Sequence, residues 1–204
     1  MSVRRTAIAA TLACVAGFAV AHSATDGFEA FTLESARRLH ALRAPAAVPD
    51  FALDLADGGR SLISQLEGKV LLVDFVYSNC PTYCASLGSV YAQLQQRLAA
   101  EIAAGDVRLL SISFDPERDN PAELRAYRAR HGKTAAGWEL GVPAREELSK
   151  WLDAFGVVVI PDGLGGYTHN AAVHVVGPGR KLIAIVEAGD LDAIVQATRS
   201  ATAR

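Results

Sequence analysis

Cysteine, aromatic residues and net charge are all scarce in this chain of 204 residues, and each shortage excludes something. Three cysteines are too few for a small scaffold stapled by disulfides. A formal net charge of −2 excludes a generally basic nucleic-acid binder, so no nucleic acid is expected as a partner. Aromatic residues make up only 7%, yet half of all residues are apolar, and 17 Gly and 8 Pro are ordinary numbers. A disordered or fibrous chain is therefore excluded too. The apolar run Ala7–Ala21 falls short of the roughly 20 residues that span a bilayer. What is there suffices for one domain with a substantial core, and not for two large ones.

The chain opens Met1-Ser-Val-Arg-Arg, followed by that apolar run and by small residues at Ala19-Val-Ala21. A basic start, an apolar stretch and a small-residue site describe a secretory signal peptide. Residues 1–21 are read as that signal or as an N-terminal membrane anchor. Cys14 lies inside the run and reads as one more small apolar residue. Removing 1–21 takes Arg4 and Arg5, and no acid, from 20 basic and 22 acidic side chains, which leaves 18 against 22, or −4. The two remaining cysteines, Cys80 and Cys84, would work in an oxidising compartment, which places the domain in the periplasm, free or anchored facing it.

Residues 22–47 are read as a linker or docking segment with a short helix, Thr32–Leu42, closed by Ala44-Pro45 and Pro49. From 48 to 204 strands and helices alternate. The pattern predicts strands at Phe51–Leu55, Lys69–Tyr77 and Val107–Phe114, the last two apolar on both faces as in a sheet covered by helices. It predicts helices over Cys84–Ala104, from Pro121 to His131 with Asn120 as N-cap, and over Ala144–Phe155. Strands Ala171–Val176 and Lys181–Glu187 flank the turn Gly177-Pro-Gly-Arg180, and a helix spans Asp190–Ala201. A β-α-β half followed by a hairpin and a helix is the order of an α/β thioredoxin-like sandwich, with a central mixed sheet flanked by helices.

Cys80-Pro81-Thr82-Tyr83-Cys84 falls where the central strand gives way to a helix. Free N–H groups and the helix dipole favour a thiolate there, and a spacing of four sets both sulfurs on one side of a turn. The pair can share a metal or close a disulfide. Two thiolates leave a soft metal under-ligated, which directs attention to the histidines. His40 belongs to the linker helix, and His131, beside Gly132 at a helix end, reads as a capping cation. His169 sits in the loop Gly165–Asn170. His174 lies five residues on within a strand, where alternation sends it to the opposite face and into the core or onto the surface. The loop position suits a ligand better.

Three stretches, Asp74-Phe-Val-Tyr-Ser-Asn-Cys80-Pro-Thr-Tyr-Cys84, then Ser111-Ile-Ser-Phe-Asp115-Pro-Glu-Arg-Asp119-Asn-Pro121, then His169, together resemble the SCO/SenC family. That resemblance covers roughly Pro49 to Ala201. It implies a thioredoxin-fold copper protein that assists assembly of cytochrome c oxidase, with Cys80, Cys84 and His169 as ligands of Cu(I) or Cu(II). It also implies that Asp115 supports the metal site from outside the ligand set, although turn formation and helix capping are open roles for Asp115 and Asp119, and a surface ion pair for Arg118. Ala85 stands where many members carry proline, and Thr168 where aspartate is frequent. The implied partners are a copper-receiving client, cytochrome c oxidase subunit II, and a thiol reductant, with a membrane added if the first segment is not cleaved.

Two function classes follow. One is a copper metallochaperone, not an enzyme. The other is a thiol–disulfide oxidoreductase acting on cysteines of a copper-protein client, with Cys80 and Cys84 as its redox pair. The spacing CxxxC instead of CxxC, and a histidine in a stretch without proline (Gly163–Val176), favour the metal. A peroxidase would give His169 no task.

Overall fold

The computed structural model describes residues 3–79, 83–131 and 136–203, and of 83–86 the backbone alone. Cys80 lies outside the described residues. Helix α1 (Val3–Ala24) buries none of its residues and leaves Cys14 exposed. It is long and apolar enough to cross a membrane by length and composition, a form that a secretory leader shares. Helix α2 (Leu33–Arg43) is capped by Thr32, whose hydroxyl accepts from Ser35 N–H at 3.0 Å.

Among the described residues ten strands follow: β1 (Ala46–Ala47), β2 (Ala52–Leu55), β3 (Arg60–Leu62), β4 (Val70–Val76), β5 (Val107–Ser113), β6 (Trp138–Val142), β7 (Val159–Pro161), β8 (Tyr167–His169), β9 (Ala172–Val176) and β10 (Lys181–Glu187). Eight form one mixed sheet in the order β1-β10-β9-β4-β5-β6-β2-β3, while β7 and β8 pair as a separate antiparallel hairpin. Strands β4, β5 and β6 run parallel, and β9 returns antiparallel beside β4. All of β4 is buried, because both its faces are covered. On one face lie α3 (Tyr83–Arg97), α5 (Pro121–His131) and α7 (Leu191–Thr202). Tyr91 of α3 donates its hydroxyl to Leu72 O there. On the other lie α2 and α6 (Leu148–Phe155), with Phe155 against Phe75 at 5.3 Å between ring centres. This is the α/β thioredoxin-like sandwich expected.

Several details differ from the sequence reading. The helix expected over 84–104 breaks at Leu98 into α3 and α4 (Ala99–Ala104). The one expected over 144–155 begins as a 3-10 turn, Arg145–Glu147, before α6. Strand β6, which contains Gly141, was not among the strands expected. Glycine stands at 141 because of proximity: a Cβ there would lie 2.9 Å from Leu53 Cβ on the neighbouring β2.

Helix α2 is fastened to the sheet by its arginines. Arg38 pairs with Glu187 of β10 at 2.7 Å, and Arg37 donates to Phe155 O at 2.8 Å. Arg37 also reaches His174 Nε2 at 3.1 Å. A guanidinium only donates, so Nε2 accepts, and Nδ1–H donates to Val73 O at 3.2 Å. His174 is thus a satisfied core histidine, buried between Phe75 and Phe155.

Candidate metal centre

Strands β4 and β5 end side by side, Val76 opposite Ser113. Of the candidate residues, Asp115 and His169 have their side chains described at this carboxyl end, where open α/β sheets place their ligands. Ser78 and Asn79 leave β4 just ahead of Cys80, and Cys84 falls in the first turn of α3. The turn at Ser78 is held from two sides. Buried Asp119 accepts from Ser78 N–H at 3.0 Å, from the Ser78 hydroxyl, and from the Ser113 hydroxyl at 2.5 Å. Arg130 of α5 donates to Ser78 O at 3.0 Å. Helix capping, one role open to Asp119, falls instead to Asn120, whose Oδ1 accepts from Ala122 and Glu123 N–H at 2.9 and 3.2 Å. Asp119→Ala should therefore destabilise the domain by about 3 kcal/mol, since it orphans two hydroxyls and a backbone N–H at once. Urea unfolding of the two proteins measures it.

His169 is not in a loop. It ends β8 of the separate hairpin, whereas His174 lies in β9 of the main sheet, so the two are not related by alternation along one strand. The chain turns sharply behind it, Ala171 N–H donating to His169 O at 3.0 Å, before β9 begins. The imidazole packs edge-on against Phe114 at 5.1 Å. Tyr167, two residues earlier and so on the same side of β8, meets Phe114 at 5.6 Å and Tyr77 at 5.3 Å. Tyr77 is the residue that follows β4, and its hydroxyl accepts from Tyr167 N–H at 3.3 Å. Aromatic packing thus seats the histidine over the strand ends from which the CxxxC segment departs.

Both ring nitrogens of His169 are buried and have no hydrogen-bond partner among the described residues. Burial lowers its pKa from the ordinary histidine value, so the ring is neutral at pH 7 and two lone-pair or N–H positions await a partner. Thr168 is exposed on the neighbouring face of the strand. A neutral, unspent imidazole is the donor that a borderline or soft metal takes beside thiolates. Among the described residues no three His, Cys, Asp or Glu side chains converge; of the candidate ligands, only the side chain of His169 is among them.

Asp115 lies in the loop after β5 and is buried, its Oδ2 2.9 Å from Arg118 Nε. Burial raises its pKa even with Arg118 beside it. Arg118 is no isolated surface ion pair: Nη1 donates to Gly165 O at 2.6 Å and Nη2 to the Tyr167 hydroxyl at 3.1 Å. His131 ends α5 against Tyr127 at 4.9 Å, and burial together with Arg130 lowers its pKa, which corrects the reading as a capping cation. His40 is exposed on α2, away from these residues. Sequence reasoning missed Tyr77, Phe114 and Tyr167. The one available signal was the two-residue spacing of Tyr167 and His169.

The SCO1/SenC family model matches residues 40–203. The chain belongs to the SCO1/SenC family. A SCO1 protein homolog of Bacillus subtilis (strain 168) is 32% identical over 139 residues, 67% of this chain and 71% of that one. The solved structure of BsSco, a member of the Sco family of cytochrome c oxidase assembly proteins with a disulfide switch, is 27% identical with a TM-score of 0.69. It aligns with 78% of this SCO1/SenC chain and 95% of its own. Arabidopsis thaliana ScoI with copper bound shares the fold at 21% identity and a TM-score of 0.65, over 76% of this chain and 99% of that one.

Proposed function

We propose that this protein is a copper metallochaperone in which Cys80, Cys84 and His169 hold the ion and pass it to the copper site of cytochrome c oxidase, in subunit II. The observation that carries the reading is the neutral His169, its ring nitrogens buried and unpartnered among the described residues, at the strand ends that lead into the CxxxC segment. Membership of the SCO1/SenC family supports the same reading. On binding, each thiol gives up its proton and the thiolates take Cu(I), with the imidazole as third donor; Cu(II) needs a further ligand. The pair cannot bind copper as a disulfide. A partner reductant therefore has to supply two electrons and two protons per disulfide before loading. The N-terminal helix supports delivery of the domain to the periplasm, with or without retention as an anchor.

His169→Ala should weaken Cu(II) binding about tenfold or more and Cu(I) binding much less, because the thiolates are the softer donors. Competition titrations of the reduced protein with each ion measure the two. Equal losses for both ions would count against His169 as the ligand that matters for Cu(II). A strain lacking the protein should make oxidase depleted of copper, and normal oxidase there would remove the proposed client. In that case the oxidoreductase reading would gain, which the disulfide switch of BsSco favours as the second choice.

A further inference from the structure

The hairpin that carries His169 stands outside the main sheet. Its base is fixed by Asn170, which accepts from Val158 N–H at 2.7 Å and donates to Gly156 O at 3.0 Å. Its tip bonds to itself, Asp162 Oδ1 accepting from Leu164 and Gly166 N–H at 2.7 and 2.9 Å. On one flank Val159, Pro161 and Tyr167 border an open cleft of about 410 Å³ shared with Phe114, Leu148 and Leu152, so close packing does not back the hairpin there. Among the described residues, two groups of the body bond the hairpin beyond its base: the Tyr77 hydroxyl, through Tyr167 N–H, and Arg118.

Arg118 is suited to hold it. Its Nε is set against buried Asp115, and this leaves both terminal nitrogens directed at the hairpin, one on Gly165 O and one on the Tyr167 hydroxyl. The guanidinium also lies over the Tyr167 ring, 5.5 Å from its centre. The next residue, Asp119, holds Ser78 two positions ahead of Cys80. One loop thus grips both halves of the candidate site, with one residue for each.

We propose that Arg118 is a positioning residue for the copper site: by bridging Asp115 to Gly165 and Tyr167 it fixes the hairpin, and through it the His169 imidazole, relative to the CxxxC segment. This rests on the copper reading above. A planar fork is required, so lysine should not replace it.

The test uses the reduced full chain and its Arg118→Ala, Arg118→Lys and His169→Ala variants. Arg118→Ala and Arg118→Lys should each lose about tenfold in Cu(II) affinity, while Cu(I) affinity shifts by less than about threefold. Arg118→Ala in the His169→Ala background should cost nothing more, because its whole effect runs through that ring. In metal-free protein, amide exchange over residues 159–169 should quicken in Arg118→Ala, with β4 and β5 unchanged. Unaltered Cu(II) affinity, full additivity with His169→Ala, or unchanged exchange in the hairpin would each overturn the proposal. Were Arg118→Ala to unfold, Tyr167→Phe removes one of the two terminal contacts and should give a smaller loss of the same kind; no loss would overturn it. If wild type binds no copper, the copper reading fails, and the exchange measurement still decides whether Arg118 holds the hairpin.

Discussion

Asp74→Asn should gain on the wild type by about 1.4 kcal/mol for every pH unit between pH 4 and 7, about 4 kcal/mol in all. Asp74 points from β4 into the face covered by α3, fully buried beside Ser111 and Tyr91, and neither carboxylate oxygen has a well-formed hydrogen bond among the described residues. Burial pushes its pKa from 3.8 up to about 7. The native state therefore keeps a proton that the unfolded chain gives up above pH 3.8. Its contribution to stability is complete below that pH and is lost as the pH rises to about 7.

On the opposite face of the sheet His174 does the reverse. Burial and the Arg37 guanidinium lower its pKa from 6.5 to about 3, so stability is lost as the pH falls from 6.5 towards 3. Glu34 adds to that acid loss below pH 4.5. Burial would raise its carboxyl, but hydrogen bonds from Arg37 and Arg38 prevail and hold it at about 2. Between pH 4 and 6.5 the slopes of Asp74 and His174 oppose each other, and the wild type should be nearly flat there. Asp74→Asn leaves the slope of His174 unopposed. Denaturant unfolding of both proteins across this range measures the difference; parallel profiles would contradict the account.

Parts of the fold were legible because a single local cause set them. The unbroken apolar run of β4 could only be a covered central strand, and Asn120-Pro121 marked the start of α5 because cap and first-turn proline act within three residues. β10 was bounded by its turn. β6 was not read from the sequence, and its Gly141 serves a close approach to β2, a fact about another strand. β7 and β8 are three residues each and half exposed, Pro161 closing β7, and no hydrophobic period survives at that length.

The site divides in the same way. Residue type and spacing made Cys80, Cys84 and His169 candidates. What fixes their surroundings joins distant residues, 41 apart for Ser78 and Asp119 and 90 apart for Tyr77 and Tyr167, and depends on how the chain folds back. The aspartates and the arginine of the loop after β5 could be noticed in the sequence, but not what each one holds.

Loss of both cysteines should have the largest effect on binding. No other cysteine remains once residues 1–21 are set aside, and nitrogen and oxygen donors alone hold Cu(I) poorly. The most direct measurement is a Cu(I) titration, against a competing chelator, of the reduced wild type beside Cys80→Ala/Cys84→Ala. Wild type should take up about one ion per chain and the variant none, while both keep the same far-ultraviolet circular dichroism. Copper binding unchanged in the double variant would contradict the assignment.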